Sequence, residues 1–309
     1  MLVSGLIKVV EESGVQDGPG LRSVVFLKGC ALRCKWCQNP ELIDFRPEIW
    51  FHKDRCQKCG ACKEVCPAGA IALDSEDKRI IRGKCSGFEC RKCVEACPNN
   101  AYEVVGFRIT AEDLYKHVEK FKPFYDRSDR GGVTLSGGDP LHQPEFTAEV
   151  LRLCQENHIH TAIETSLYAP YENLGKIAMY CNIILCDIKH MDSSKHKEGT
   201  GVSNELILEN FKRLEREYEG EIVVRIPLIP GYSDDEDNVV RTLEFLYPLK
   251  RVKGVDLLPF NIFPIAKYKA LFLDWEYEGV KRQSDEHLNK LKGIVDSYKR
   301  FSCTISGLW

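Results

Sequence analysis

Eleven of the fifteen cysteines, three plus eight, are spaced as metal ligands usually are, and this pattern constrains the fold more than any other feature. The first three, Cys30, Cys34 and Cys37, form a CxxxCxxC loop. Three thiolates can hold three corners of a [4Fe-4S] cluster and leave the fourth iron open to another ligand. The loop therefore predicts a protein built around an iron–sulfur site.

A structural zinc site is the alternative for this loop. Zinc prefers four protein ligands, so a distant cysteine such as Cys154 or Cys186 would have to complete it. These two, together with Cys181 and Cys303, lie in apolar stretches of the sequence. Free cysteine commonly behaves as a small buried hydrophobe, so we expect all four to be core residues.

The other eight cysteines form an internal repeat whose halves each end in a Cys-Pro pair. The halves are Cys56, Cys59, Cys62, Cys66 and Cys85, Cys90, Cys93, Cys97. In the bacterial ferredoxin pattern the fourth cysteine of a run ligates the other cluster. This predicts one cluster on Cys56, Cys59, Cys62 and Cys97, and a second on Cys85, Cys90, Cys93 and Cys66. Cys85 departs from the pattern, because four residues separate it from Cys90 where two are usual.

Short β-branched runs alternate with helical patterns from residue 107 onward, which is typical of βα units around a parallel sheet. Including one strand before Cys30, the predicted strands are residues 22–29, 132–136, 161–164, 183–187, 222–227 and 255–259. The predicted helices are residues 111–121, 145–157, 204–218, 236–247 and 285–300, and Thr110 and Ser203 are predicted N-caps. The chain is therefore expected to be α/β, with a partial (βα)6 barrel.

Residues 49–105 have a different character, with crowded cysteine, lysine and proline and little helical periodicity. We expect them to form a small inserted domain like a bacterial ferredoxin. The barrel would then consist of residues 1–48 and 106–309.

Charge and hydropathy exclude several classes of function. Lys and Arg number 43 against 46 Asp and Glu, which leaves no basic excess for nucleic acid. We see no signal sequence and no apolar run of bilayer length, so we expect a cytoplasmic protein without a membrane partner. Cysteines in that compartment stay reduced, which favours metal ligation over disulfides.

Polar or small residues lie at the end of every predicted strand or just after it. In a βα barrel such positions meet at one mouth, where the chemistry gathers. They are Cys30, Gly137, Gly138, Asp139, Glu164, Thr165, Asp187, Lys189, Arg225 and Asn261.

The CxxxCxxC loop followed by a Gly-Gly-Asp-Pro turn at residues 137–140 resembles the radical S-adenosylmethionine (SAM) superfamily. The stretches at residues 17–22, 187–192 and 225–231 narrow the resemblance to the glycyl radical enzyme activating enzymes, and the insertion is similar to that of the longer activases. The resemblance implies that SAM binds the open iron and is cleaved by one electron to methionine and a 5′-deoxyadenosyl radical. That radical would take a hydrogen atom from a backbone glycine of a partner glycyl radical enzyme.

The resemblance also implies a role for each residue at the mouth. Gly137, Gly138 and Asp139 would lie near the SAM amino group, Lys189 would pair with its carboxylate, and Arg225 would steady the nucleotide or the incoming loop. Glu164, Thr165 and Asp187 would face the ribose and a monovalent cation. Trp36 would lie by the adenine, or only shield the cluster. Pro259-Phe260-Asn261 stands where many relatives have Pro-Tyr-His. The Asn261 side chain can form hydrogen bonds but cannot exchange a proton near neutral pH.

The resemblance also implies that residues 17–22 act at the client glycine loop. Each of these roles has a purely structural alternative: a tight turn for the glycines and for residues 17–22, helix caps for the carboxylates, and a solvated lysine at position 189. The implied cofactors are three [4Fe-4S] clusters, SAM and the cation. The implied partners are a glycyl radical enzyme and a flavodoxin or ferredoxin electron donor, with the chain a monomer. The other functional hypotheses are a radical SAM enzyme acting on a small molecule or peptide, and a ferredoxin-type carrier fused to a binding barrel.

Overall fold

Parallel strands dominate the computed structural model, which describes residues 2–73, 80–85 and 90–306. Their bounds in chain order are β1 (Ser4–Gly14), β2 (Arg22–Leu27), β3 (Glu48–Phe51), β4 (Tyr102–Val105), β5 (Phe107–Thr110), β6 (Gly132–Gly137), β7 (His160–Thr165), β8 (Ile183–Asp187), β9 (Glu221–Leu228), β10 (Val252–Pro259) and β11 (Ser302–Ile305). Within the described residues one sheet has nine strands, in the order β11-β10-β9-β8-β7-β6-β2-β1-β5, and β3 pairs separately with β4.

The helices in chain order are α1 (Ala61–Glu64), α2 (Lys92–Glu95), α3 (Ala111–Glu119), α4 (Lys122–Tyr125), α5 (Pro144–Glu156), α6 (Tyr171–Ala178), α7 (Ser193–Thr200), α8 (Glu205–Glu217), α9 (Glu236–Leu246), α10 (Ile265–Ala270) and α11 (Asp285–Ser297). Most of the helices pack against the large sheet, whereas α1 and α2 lie in the insertion and α10 lies near the three-cysteine loop. In the ranges that the structure describes, no helix is long and apolar enough to cross a membrane.

The expected α/β fold and all six predicted barrel strands are confirmed. Strands β2 and β6 to β10 pair in parallel, each with its neighbour, and β11 adds a further parallel strand beside β10. The sequence prediction missed β1 and β5, which extend the other edge as antiparallel strands. The acidic end of β1, at Glu11 and Glu12, hides its alternating pattern.

All five predicted helices are confirmed with slightly different ends, whereas the shorter helices α1, α2, α4, α6, α7 and α10 were not predicted. Thr110 caps α3 as predicted, since its side chain accepts a hydrogen bond from Asp113 N–H at 3.1 Å. The prediction for Ser203 is wrong, because Asn204 occupies the N-cap position of α8. The Asn204 side chain donates instead to the carbonyl of His190 at 3.0 Å, which ties the start of α8 to the loop after β8.

The main core lies between the sheet and the outer helices. Residues of adjacent strands, such as Ile163, Ile184 and Val224, are fully buried there because parallel strands are covered on both faces. Cys154, Cys181 and Cys186 are buried in this core, which confirms them as core residues, whereas Cys303 is half-buried and packs against it.

The two halves of the insertion repeat each other in structure as well as in sequence. Helices α1 and α2 each follow a residue in the left-handed region, Gly60 and Arg91. The thiols of Cys66 and Cys97 each accept a hydrogen bond from the backbone N–H four residues further on. The β3–β4 pair joins both ends of the module to the barrel.

The Arg22 side chain connects β2 to neighbouring segments of the barrel. It is fully buried and donates to the Thr134 hydroxyl and to the carbonyls of Pro19, Val133 and Arg130. Residues 17–22 therefore form a structural turn that links β2 to β6, and their implied role at the client glycine loop stays a prediction.

We predict that Arg22→Met destabilises the chain by at least about 3 kcal/mol, because several buried acceptors lose their donor at once. Denaturant unfolding of the metal-free protein measures this change. The matched control is Arg241→Met, whose side chain is 42% exposed and faces Asp237 at 3.8 Å. Removing such a surface pair changes stability by less than about 1 kcal/mol. Equal effects of the two substitutions would contradict the structural role of Arg22.

Candidate active site

Backbone hydrogen bonds hold the three-cysteine loop from two sides. Cys30 N–H donates to Ile43 O at 3.1 Å, and Arg33 N–H donates to Thr200 O at 2.7 Å. The loop follows β2 directly, so its position is set by the sheet and by the end of α7. The cysteines are thus placed by the fold around them.

The three thiols are half-buried and close enough to interact electrostatically. Burial, together with neighbouring Cys34, raises the pKa of Cys37 to about 12, so the free thiol is neutral. A bound metal deprotonates such a thiol. Three adjacent thiols can hold three irons of a cluster and leave the fourth iron open. In the described ranges no group of three His, Cys, Asp or Glu side chains is arranged to hold one metal ion. A [4Fe-4S] cluster does not need such a group, because each thiolate binds a different iron.

Gly137 and Gly138 lie where β6 passes the backbone of β2. Gly137 has φ +107°, and a Cβ there would lie 2.4 Å from Leu27 N. A Cβ on Gly138 would lie 2.3 Å from Gly29 O. Any side chain at either position would push the turn away from the start of the cysteine loop. The tight-turn alternative therefore describes the two glycines, and their predicted SAM contact stays a prediction.

Asp139 is buried, and protein groups use both of its carboxylate oxygens. They accept hydrogen bonds from Leu141 N–H at 3.0 Å, the Thr165 hydroxyl at 2.9 Å, and both N–H and hydroxyl of Ser166 at 2.9 and 2.7 Å. Asp139 therefore caps its own turn and fastens it to the end of β7. The Thr165 side chain belongs to this group and does not join Glu164 and Asp187.

A buried ion network crosses the mouth of the barrel. Arg225 donates to Glu164 Oε1 and, at 3.0 Å, to Asp187 Oδ1, while Lys189 Nζ donates to Asp187 Oδ2 at 2.9 Å. Ser136 donates to the second oxygen of Glu164. Neither Glu164 nor Asp187 acts as a helix cap, so that alternative is wrong for both.

The network decides the charges at the mouth. Burial raises the pKa of Asp187, but Lys189 and Arg225 outweigh it and hold that pKa below its ordinary value. Burial likewise lowers the pKa of Lys189, and the carboxylate of Asp187 and the thiol of Cys34 raise it overall. Burial and the carboxyl of Asp17 raise the pKa of Glu164 to about 8 despite Arg225.

Lys189 connects this network to the cysteine loop. Its side chain is only 12% exposed, so the alternative of a solvated lysine is wrong. Because it also acts electrostatically on Cys34, the ammonium lies beside the three thiols. The structure thus brings Cys34, Lys189, Asp187, Glu164 and Arg225 together as predicted.

Aromatic side chains form a cluster around Trp36, next to the cysteine loop. The buried Trp36 ring packs against Tyr232 with centroids 4.6 Å apart, and Tyr268 and Trp275 belong to the same apolar cluster. This environment favours the shielding role of Trp36. Asn261 follows β10, and its side chain accepts a hydrogen bond from Phe263 N–H at 3.1 Å.

The insertion brings its cysteines together in the crossed arrangement. A small cavity is lined by Cys56, Cys59, Cys62 and Cys97, the first predicted set. Cys93 interacts electrostatically with Cys85, Cys90 and Cys66, the other members of the second set, and also with Cys62. Cys85 is therefore near its predicted partners, although residues 86–89 between it and Cys90 lie outside the described ranges.

Sequence analysis gave no role to several residues of the site. Ser136 and Ser166 had a detectable signal, since both stand in the predicted strand-end motifs. Lys267 had none. Its ammonium lies 2.5 Å from Asn39 Oδ1 although 228 residues separate the two in sequence.

Comparisons with known proteins agree with this geometry. The model of the radical SAM superfamily matches residues 91–243, that of a 4Fe-4S dicluster domain residues 48–98, and that of a 4Fe-4S single cluster domain residues 16–72. The choline trimethylamine-lyase activating enzyme of Oleidesulfovibrio alaskensis is 40% identical over 95% of both chains. The trans-4-hydroxy-L-proline dehydratase activating enzyme of Clostridioides difficile is 39% identical over 98% of this chain and 99% of its own.

Among solved structures, Streptococcus suis SuiB bound to the precursor peptide SuiA matches with a TM-score of 0.55 and 14% identity, over 91% of this chain and 48% of that one. This likeness concerns the fold alone. The fold and the three-cysteine site define a radical SAM enzyme. Within that superfamily, the chain belongs to the glycyl radical enzyme activating enzymes.

We predict that Asp139→Asn destabilises the metal-free protein by about 2 kcal/mol, because the new amide N–H₂ faces the donors of Ser166 or of Leu141 and Thr165. Denaturant unfolding measures the loss. The control is Asp126→Asn, since that exposed carboxylate pairs only with Lys122 in the next helical turn. An Asp139→Asn variant as stable as the Asp126→Asn control would contradict the capping role.

Proposed function

We propose that this chain activates a partner glycyl radical enzyme by forming a radical on one of its backbone glycines. The observation that carries the proposal is the set of three thiols beside the Lys189–Asp187–Arg225 network at the ends of parallel strands. The cluster and SAM, when bound, would supply the one electron and the cleavable sulfonium needed to remove the hydrogen atom of that glycine.

The chain's own residues bind and orient SAM in this proposal. Lys189, held in place by Asp187, offers a cation beside Cys34 to the SAM carboxylate. The turn at Gly137 and Gly138 offers backbone groups to the amino end. Trp36 and its aromatic neighbours exclude water from the cluster.

Two carboxylates of the network suit a further ligand. Glu164 and Asp187 converge on Arg225, and we propose that the same two groups bind a monovalent cation and face the ribose. Arg225 would then turn toward the nucleotide or the incoming glycine loop, with Thr165 and Asn261 at the edge of the site.

Three [4Fe-4S] clusters are proposed, one on Cys30, Cys34 and Cys37 and two in the insertion. The crossed grouping of the insertion's cysteines supports two clusters there. We propose residues 49–105 as the inserted domain and residues 1–48 and 106–309 as the barrel. The β3–β4 pair at the two junctions supports these boundaries.

The proposed electron donor is a flavodoxin or ferredoxin, because the inserted clusters suit a one-electron redox protein. We propose further that the chain is a monomer and works in an anaerobic cytoplasm. The resemblance to the activases supports these assignments.

Iron content tests the three-cluster proposal. We expect about twelve irons per chain after anaerobic reconstitution. Replacing Cys56, Cys59 and Cys62 with alanine should remove about four irons while leaving those at the other sites. A wild-type content of only about four irons would exclude clusters in the insertion.

Cys34→Ala tests the site of SAM cleavage. We expect it to abolish formation of 5′-deoxyadenosine from SAM under reducing conditions, because the cluster loses one of its three protein ligands. The matched control, Cys303→Ala, removes a thiol next to the core and should retain cleavage. Cleavage by the Cys34 variant at the wild-type rate would exclude its role as a ligand.

Electron paramagnetic resonance (EPR) with a candidate partner tests the substrate class. We expect a persistent doublet on the glycyl radical enzyme after incubation with this chain, SAM and a reductant. If deoxyadenosine forms only with a small molecule or free peptide, and no doublet appears with any glycyl radical enzyme encoded near this gene, the activase proposal is wrong.

A further inference from the structure

A short segment after β10, residues 264–275, contacts both cysteine sites. We call it the bridge segment; it contains α10 and the turn that follows. Its first half lies against the three-cysteine loop of the barrel, and its second half lies against the insertion. The two contact regions do not share a residue.

Lys267 makes the contact with the barrel site. Its ammonium donates to Gln38 O at 3.1 Å and to Asn39 Oδ1 at 2.5 Å, immediately after Cys37. It also pairs at 3.1 Å with Glu41, whose side chain is fully buried. Tyr268 follows and packs in the aromatic cluster around Trp36. The first half of the bridge segment therefore grips the end of the cysteine loop.

Phe272 makes the contact with the insertion. Its ring stacks on Phe51 with centroids 5.5 Å apart, and Phe51 packs on Tyr102 at 5.0 Å. The Tyr102 hydroxyl lies 3.5 Å from the Cys62 thiol. These three rings connect the bridge segment to the cavity lined by the first set of inserted cysteines.

Arg82 adds a second contact to the same half. Its Nε donates to Leu271 O at 2.6 Å, and its Nη1 pairs with Glu48 at 2.9 Å. Glu48 in turn pairs at 3.1 Å with the buried Lys28, two residues before Cys30. The insertion, the bridge segment and the cysteine loop are thus joined at several points.

The backbone of Phe272 has φ +55°, in the left-handed region. A bulky residue rarely adopts this conformation, and such strain persists only where surrounding contacts hold it. Here it directs the ring onto Phe51.

We propose that the bridge segment couples the two cysteine sites, with Lys267 and Phe272 as its positioning residues. The inference rests on the proposed function, because electron transfer between the insertion and the barrel site falls steeply with distance. A segment that contacts both sites keeps the distance between them constant. Order at one site is then transmitted to the other, and the coupling is reciprocal.

Hydrogen exchange on the reconstituted holoenzyme tests the coupling. Phe272→Gly removes the ring and accepts the left-handed backbone without strain. We expect the backbone amides at residues 38–42 to exchange about fivefold faster than in the wild type. The contacts of Phe272 described above do not include these residues. Lys267→Met should in turn speed exchange at residues 97–102 by a similar factor.

Two variants serve as controls. Phe263→Gly changes the same residue type at a position 82% exposed, and Phe272→Tyr retains the ring that stacks on Phe51. Both should exchange like wild type. If each substitution speeds exchange only at the site it touches, the coupling is wrong.

A redox titration followed by EPR separates positioning from simple structural support. Lys267 places a positive charge beside the cysteine loop, so Lys267→Met should shift the midpoint potential of the barrel cluster to a more negative value. Lys267→Arg should restore it. An unchanged potential in Lys267→Met would overturn the role of Lys267.

These measurements do not depend on the activase proposal. Wild-type deoxyadenosine formation and the partner's EPR doublet test that function, whereas exchange rates and potentials test the bridge segment. A chain that cleaves SAM normally but shows no transmitted exchange effect would retain its function and lose this inference.

Discussion

Hydrogen bonds from the backbone of the three-cysteine loop to neighbouring segments are the interaction on which the rest of the site depends. They attach Cys30 to Ile43 and Arg33 to Thr200, so the thiols converge through contacts between backbone groups. The close passage of Gly138 against Gly29 belongs to the same arrangement, because only a glycine lets β6 approach the start of the loop. Asp139 then secures this turn to β7, and the mouth of the barrel is assembled around the loop.

Charge compensation makes a buried polar mouth tolerable. A buried carboxylate is costly unless it is paired and hydrogen-bonded, and Asp187 has Lys189 on one oxygen and Arg225 on the other. Glu164 shares Arg225 and carries a raised pKa because it is buried and Asp17 is near. The same network leaves the Lys189 ammonium near Cys34, where we propose that it pairs with the carboxylate of SAM.

The insertion and the barrel are joined through a segment distant from both in sequence. Residues 264–275 reach Asn39 through Lys267 and Phe51 through Phe272. These contacts determine how the insertion's cysteines are placed relative to Cys30, Cys34 and Cys37. The bridge segment and the Glu48–Lys28 pair give that placement a physical basis.

The sequence by itself determined the cysteine sites, the parallel βα order and the strand-end residues, because ligand spacing and hydrophobic period are local properties of a chain. It also identified Lys189, Asp187 and Arg225, since parallel strands end at one edge. Only the tertiary structure decided how these groups are used. Asp139 and Thr165 form a hydrogen bond that fastens a turn, and Trp36 lies in an aromatic cluster. Asn204, and not Ser203, occupies the N-cap position of α8. Lys267 and Phe272 were out of reach of sequence analysis, because their contacts come from packing between segments distant in the chain, which no local pattern records.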